Sequence, residues 1–470
     1  MSSPAAQATF LTGNLFRHVT VMSVTASLGL MAVFLVDFVD MIFISMLGKA
    51  ELAAAVGYAG AILFFTSSFG IGMAIAAGAL VSRALGSGDA NMASRRAGTA
   101  LLYGVILGAI FAAIVWYFVP VFAAWMGATG EVHGLTVTYL RIIVPSLPFL
   151  IVGMAGGAVL RAHGAARHSM MATIMGGFVN AILDPILIFG FDLELTGAAM
   201  ASVAARVAMA AYALIMIYKH HGGLQKPTKV EFSADFPALF QIAIPAVLTQ
   251  LSTPIGQAYV IASMAEYGEE AVAGMAVVSR LVPLSFAVIF ALSGAIGPII
   301  GQNYGAGSFD RVRQAVKDGL LFIAIYTVLA AGVLFALRGP ILALFNADGL
   351  TAELILLFCG PLALLWFFNG VIFVANAAFN NLGHPFYSTW VNWLRHTLGT
   401  IPFVLLGSAW YGAKGILIGQ ALGGIVFAIV ALVLVRKVIR KTTTGDGGIV
   451  IQPEPFARQA RQLSLLRFHR

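Results

Sequence analysis

Three carboxylates fall inside stretches that otherwise carry no charge: Asp37 and Asp40 in LMAVFLVDFVDMIFISM, and Asp184 in MMATIMGGFVNAILDPILIFG. Holding an aspartate at the centre of a bilayer costs about 2.5 to 3.5 kcal/mol on insertion scales, so an acid kept there is a functional candidate. Asp37 and Asp40 are three residues apart and share a helix face, while Asn180 and Asp184 are four apart and share another. If the two faces meet, Asp40, Asn180 and Asp184 make an oxygen-rich site with a removable charge. Burial and a neighbouring carboxylate favour protonation of such a site. Converging carboxylate and amide oxygens also suit a hard cation such as Na⁺. Residue chemistry leaves H⁺ and Na⁺ open, and leaves open helix bridging by hydrogen bonds alone, above all for Asn180. Asp37 reads equally well as a solvated neighbour at a water-filled mouth.

The elements that must position these groups are membrane helices. Of 470 residues, 60% are hydrophobic and 10% charged, whereas soluble domains carry about 25% charged residues. A helix crosses a bilayer with about 20 apolar residues. Such runs place twelve spans near 17-46, 52-82, 95-119, 134-160, 169-191, 196-218, 237-265, 271-302, 314-337, 353-381, 386-410 and 412-437. The polar start shows no cleaved signal peptide. The single cysteine, Cys359, excludes an internal disulfide and reads as packing.

The net charge of +8 follows topology rather than forming a nucleic-acid-binding patch. Loops after even-numbered spans hold Arg83, Arg95, Arg96, Arg161, Arg167, Lys219, Lys226, Lys229, Arg311, Arg313 and Lys317, whereas loops after odd-numbered spans hold Lys49, Arg338 and Lys414 beside several acids. By the positive-inside rule both termini are cytoplasmic in a multi-pass cell (inner) membrane protein.

Landmarks of the first half recur in the second. Gly78, Gly86, Gly88 and Gly164 pair with Gly297, Gly305, Gly307 and Gly383, each at an offset of 219. Six spans per half is an even number, so the halves share one orientation and are related by an axis along the membrane normal. The expected fold is an all-α membrane protein, twelve transmembrane helices in two six-helix bundles related by a pseudo-two-fold axis: residues 1-218, a cytoplasmic linker 219-236, residues 237-440, and a basic cytoplasmic tail 441-470. A cleft between the bundles suits alternating access better than a fixed pore. Arg141, Arg206, Arg280, Arg395 and His396 also fall inside spans; snorkelling toward the interface accounts for each, and Arg206, the most central, is either a partner of Asp184 or Asp40 or a bundle-packing residue. The seventh span carries Gln250, Ser252, Thr253 and Gln257 but no acid, which assigns any ion switch to the N-terminal half. The 17 methionines and 34 phenylalanines read mainly as core and lipid-facing residues rather than as chamber lining.

The stretch VDMIFISMLGKAELAAAVG resembles the first-helix signature of the multidrug and toxic compound extrusion (MATE) family, with Asp40, Leu47 and Gly48 in its positions. VLRAHGAARHSMMATIMGGFVNAILDPILIFG is similar to that family's fourth loop and fifth helix, with Arg161, Gly164, Asn180, Asp184 and Pro185 in place. LTGAAMASVAAR resembles the sixth-helix start, with Ser202 where threonine is usual, and Arg280 in VVSRLVPL matches a recurrent eighth-helix arginine. The resemblance implies two six-helix bundles and a cation-coupling site of Asp40, Asn180, Asp184 and Ser202 with Tyr139 as a hydroxyl neighbour. Asp37, which departs from the family pattern, and Arg206, Arg280 and Gln257 are candidate accessory residues. The seventh helix without an acid departs from the NorM branch and looks more like the DinF branch.

The expected function is a secondary antiporter that exports amphipathic, cationic compounds in exchange for H⁺ or Na⁺. Its partners are then a small-molecule substrate and membrane lipid, with no nucleic acid, no cofactor, no metal beyond Na⁺ and a monomeric state. The alternative is a lipid-linked oligosaccharide flippase, disfavoured by the scarcity of cleft cations for a pyrophosphate but kept open by Arg280 and Arg395. No His-x-x-x-His pair or Ser-His pattern marks an intramembrane enzyme.

Overall fold

The computed structural model describes residues 8–444, with side chains to 441, and they are almost wholly helical. Helices α1 (Leu15–Met46), α2 (Ala50–Gly86) and α3 (Ala90–Trp125) each cross once. The fourth span is α4 (Gly130–Ile143) and α5 (Leu147–Ala162), α6 (Ala166–Pro185) is the fifth and α7 (Glu194–His220) the sixth. The second half runs through α8 (Lys229–Ala265), α9 (Glu269–Ser285), α10 (Ala287–Gly305), α11 (Phe309–Leu344), α12 (Gly349–Leu357), α13 (Ala363–Asn381), α14 (Phe386–His396) and α15 (Ile401–Thr444). The basic tail with Arg458, Arg461, Arg467 and Arg470, whose composition reads as disorder or as a weak helix on the membrane surface, falls outside the described residues.

Among the described residues, eleven helical stretches are long and apolar enough to cross a membrane. The last of them, Phe386–Lys441, supplies two spans because the chain reverses at Gly412 (φ 61°, ψ −141°). Glycines let the two arms touch backbone to backbone: a Cβ on Gly415 would lie 1.8 Å from the Gly407 carbonyl oxygen, and one on Gly423 1.3 Å from that of Gly399. Small residues every fourth position are the usual means of close helix approach in lipid, where apolar side chains gain little by leaving the hydrocarbon.

Four expected straight spans are broken. Pro145 sits in a single tight turn, Val144–Ser146, between α4 and α5. Gly360 (φ −96°, ψ −116°) with Pro361 interrupts the tenth span between α12 and α13. Phe286, three residues beyond Pro283, separates α9 from α10, its ring stacked on Trp366 at 4.8 Å. The eleventh span turns between His396 and Ile401. By contrast α1 runs without a break, Gly29 lying against the backbone of Met170. The expected linker 219-236 is also shorter than its composition implied, because α8 starts at Lys229. Thr228 and Glu231 form a reciprocal capping box there. Its first turns are fastened to α3: Asp235 accepts from Arg95 at 3.2 Å and Thr99 at 3.1 Å, and Tyr103 stacks on Phe232 at 3.9 Å.

The halves meet with two-fold symmetry at one end of the molecule. A Cβ on Gly86 would strike the carbonyl of Gln302 at 2.0 Å, and one on Gly305 would strike that of Arg83 at 2.1 Å. Those four residues form two repeat-equivalent pairs. Helix α2 is buried almost continuously from Gly70 to Gly86 but only intermittently before that, so the halves part toward the opposite end. Residues ahead of α1 seal the closed end. Phe10 is buried, its N–H donates to Gln302 Oε1 at 2.8 Å, and its carbonyl accepts from Asn303 and Arg311.

Gly423→Ala is expected to lower stability by about 1 to 3 kcal/mol through overpacking, whereas Gly332→Ala, at a helical site with nothing within 4 Å, is expected to be neutral or slightly stabilising. Melting of the detergent-purified variants checks the contrast. Equal melting points would refute the close-approach account of the last hairpin.

Candidate functional site

Four helices of the first half bring the sequence's candidates together. Asn180 on α6 donates from Nδ2 to both carboxylate oxygens of Asp40 on α1, at 3.1 and 3.2 Å, and to Asp184 Oδ2 at 2.7 Å. The Asp40 and Asp184 carboxyls are also within hydrogen-bonding reach of each other. Asp184 has no exposed surface, and among the described residues no N–H or O–H is donated to its buried Oδ1. Local sequence explains the placement. Pro185 lacks the N–H that would bond the Ala181 carbonyl, so α6 ends just after Asp184 and loosens into a π turn at Ile186–Gly190. Single π turns of this kind recur at functional sites.

Tyr139 on α4 is hydrogen-bonded to Ser202 on α7 beside the carboxyl pair. The expected set of Asp40, Asn180, Asp184 and Ser202, with Tyr139 as neighbour, thus lies in one place. Asp37 stays outside the bridge, exposed one turn before Asp40. Arg206 does not pair with either aspartate. Its Nη1 donates to Ser146 Oγ at 3.0 Å and to the Ile143 carbonyl at 3.3 Å, covering the break in the fourth span. The reason is a backbone one: a carbonyl freed by a break must be met by a side chain where water is absent. Gln257 belongs to the other half, where its Oε1 accepts from Gln420 at 3.1 Å. Arg280 is exposed on α9, in the second half.

The sequence reading passed over a polar ladder in the second half. Ser388 lies against Asn380 at 3.3 Å, Asn392 donates to Asn376 at 3.1 Å, and Arg395 donates to Asn369. The signal was present in the helical spacing of these residues on α13 and α14. It was hidden because asparagine in a membrane helix is unremarkable one residue at a time.

Two repeated six-helix halves, closed together at one end and carrying a buried carboxyl pair in one half, are the architecture of a helical membrane transporter. The MatE family model matches residues 26–186 and again 245–406, so its two matches start 219 residues apart, the offset of the glycine pairs. The chain belongs to the MATE family of transporters. It is 30% identical to the FAD transporter of Shewanella oneidensis over 433 residues, covering 90% of this chain and 96% of that one. It is 26% identical to the multidrug export protein MepA of Staphylococcus aureus, over 93% of this chain and 97% of that protein. The Vibrio cholerae MATE transporter VcmN in its bent form superimposes with a TM-score of 0.86 at 25% identity, covering 91% of this chain and 98% of that one.

Arg206→Gln is expected to lower the melting temperature while leaving the pH profile of transport in place, because its bonds go to the chain break and not to the carboxyls. Asn180→Leu removes the bridging donor and is expected to cost about 1 to 3 kcal/mol of stability together with at least a tenfold fall in transport rate. A pH profile displaced by Arg206→Gln would place that arginine back in the carboxyl site.

Proposed function

We propose that the chain is a secondary antiporter that exports small amphipathic molecules by alternating access, in exchange for a cation bound at Asp40, Asn180 and Asp184. The observation that carries this reading is the under-supplied carboxyl pair: one amide nitrogen serves three carboxylate oxygens, and a fourth, Asp184 Oδ1, receives no donor. A proton shared between the carboxyls fills that need, and so does a Na⁺ ion coordinated by carboxylate and amide oxygens. Ser202 and Tyr139 supply adjacent hydroxyls in either case.

Orientation supports the direction. Arg83, Arg95, Arg161 and Arg311 gather at the end where the halves are closed, so the positive-inside rule makes that end cytoplasmic. The cleft then faces outward, the state in which an external cation reaches Asp40 and cargo leaves. Within the family, the seventh span without an acid favours the DinF-like branch, and the chain is read as acting as a monomer. For cargo, the relative named as a multidrug exporter supports amphipathic drugs, and the one named as an FAD transporter adds flavin dinucleotide to the compounds worth testing.

The test is dye efflux from proteoliposomes under an imposed pH gradient, with and without a Na⁺ gradient, for wild type and Asp40→Asn. Efflux driven by the pH gradient alone and lost at least tenfold in Asp40→Asn is the expected result for a proton antiporter. A requirement for Na⁺ assigns the same residues to a sodium site. Gradient-driven efflux that survives neutralisation of both Asp40 and Asp184 in folded protein refutes the reading, and flipping of a labelled lipid-linked oligosaccharide with no dye movement moves the assignment to the flippase alternative.

A further inference from the structure

Four histidines cluster where α5, α6 and α7 end on the closed side of the molecule. His163 follows α5, His168 is in the first turn of α6, and His220 and His221 end α7. The His163 and His221 rings are 4.6 Å apart, the His168 and His220 rings stack at 5.0 Å and 12°, and His220 is 6.5 Å from His221. Their charged neighbours are cations: Arg167 beside His168, Lys219 next to His220 in the chain, and Arg161, which donates to Ser169 on α6. The carboxylates of that side are engaged elsewhere. Asp89 caps α3, Glu231 and Asp235 pair with Arg95, Asp310 pairs with Arg313, and Asp318 accepts from Gln314.

Two ring nitrogens of the cluster, His168 Nδ1 and His221 Nε2, are buried without a partner among the described residues. A neutral imidazole can leave its acceptor nitrogen bare, but an imidazolium carries a donor on both nitrogens. A buried N–H without an acceptor is costly. A proton on the cluster therefore adds an unmet donor and a charge beside like rings, and both costs fall when the helix ends part and water enters. Burial, and then His163, His168 and His220, push the His221 ring down to about 4, and burial lowers His163. A histidine held below its ordinary value of about 6.5 contributes stability that is complete above that pH and is lost as pH falls toward the folded value. The same turn of chain carries the closure. The Ala162 carbonyl accepts from Gln302 of the second half at 2.8 Å, and the His163 carbonyl accepts from Thr9 Oγ1 at 3.1 Å.

We propose that these four histidines form a proton-sensitive clasp. Neutral rings hold the ends of α5, α6 and α7 together and keep the Ala162–Gly164 turn seated against the second half, and protonation loosens that turn and favours opening of the closed end. The inference rests on the carrier reading for its use, and on the orientation given there for calling this side cytoplasmic. Acidification of the cytoplasm then shifts the halves toward the state that loads cargo. The sensing groups are separate from the coupling pair, yet they join the same helices, because α6 carries Asn180 and Asp184 and α7 carries Ser202.

The experiment uses the detergent-purified full chain with Cys359→Ala and spin labels on Ser87→Cys and Ala306→Cys, exposed positions that follow Gly86 and Gly305 on the two sides of the closed end. Electron double resonance gives the distance between the labels at pH 7.5 and at pH 5.5, the range in which histidine changes charge. The long-distance population is expected to rise at least threefold at the lower pH. His221→Phe is expected to halve that response or better, and His220→Gln, at an exposed ring, to reduce it by less and to carry the test if His221→Phe does not fold. His221→Arg, which fixes a charge in the cluster, is expected to raise the long-distance population at pH 7.5 at least threefold. Asp40→Asn is expected to keep the response. A response that vanishes in Asp40→Asn and persists in His221→Phe and His220→Gln belongs to the carboxyl pair and overturns the proposal, as does a distance that does not move with pH in the otherwise unchanged chain. The distances are read without gradient or cargo, so the clasp stands or falls separately from the antiport assay.

Discussion

In hydrocarbon a carboxylate can draw donors only from its own chain, and the first half does not supply enough of them. The Asn180 side chain has two N–H groups for the three carboxylate oxygens within its reach, on Asp40 and Asp184. That amide is also what joins α1 to α6. An unmet buried polar atom costs about 1 to 3 kcal/mol, and a coupling free energy of that size shifts an equilibrium about 5- to 150-fold. In the proposed exchange, adding one proton or one Na⁺ would be enough to change how α1 docks. The broken end of α6 at Pro185 and the hydroxyl pair of Tyr139 and Ser202 hold the rest of the site still while this happens.

Such a change is useful only if the halves can separate without losing much buried surface. The closed end meets this condition through glycine: Gly86 against Gln302 and Gly305 against Arg83 are backbone contacts related by the repeat axis. Backbone surfaces of this kind part without pulling a large side chain from its socket. What holds them shut is polar and directional, namely Arg83 donating to the Asn380 and Asn381 carbonyls at 2.7 and 3.0 Å, and Arg311 binding the carbonyls around Phe10. Hydrogen bonds to charged groups contribute about 1.5 to 3 kcal/mol each, and water filling an opened cleft can replace them.

Hydropathy carried most of the architecture, because twelve spans and a repeat at 219 depend on composition and spacing alone. The acids were legible for the same reason: Asp40 and Asp184 stand out against apolar neighbours, and the i to i+4 spacing of Asn180 and Asp184 already put two of three site groups on one face. The partners of Arg206 were left open because charge complementarity was weighed and backbone need was not; the turn at Val144–Ser146 was invisible inside a continuous apolar run, so its freed carbonyls were not counted. The breaks at Phe286 and Gly360 were missed similarly, since Pro283 and Pro361 sit within stretches hydrophobic enough to read as straight helices. The start of α8 was hidden by its charges, which face Arg95 and cap the helix instead of marking a loop.

The inequality of the halves follows from what duplication preserves. Packing positions are held by mutual contact, so glycines stay at a constant offset through both matches of the family. A pocket side chain is held only by its ligand and a few hydrogen bonds, so its charge is free to diverge while its place is not. Asp40 and Asn180 in one copy and Tyr259 and Gly399 at the matching places of the other are two outcomes of that freedom. Carboxyls in both pockets would have the coupling cation filling both halves at once, leaving little to distinguish ion from cargo. A carboxyl pair in one half, with tyrosine, glycine and phenylalanine at the matching places of the other, makes the halves unequal toward a cation, and an exchanger needs such an inequality for the binding of one ligand to be felt by the other.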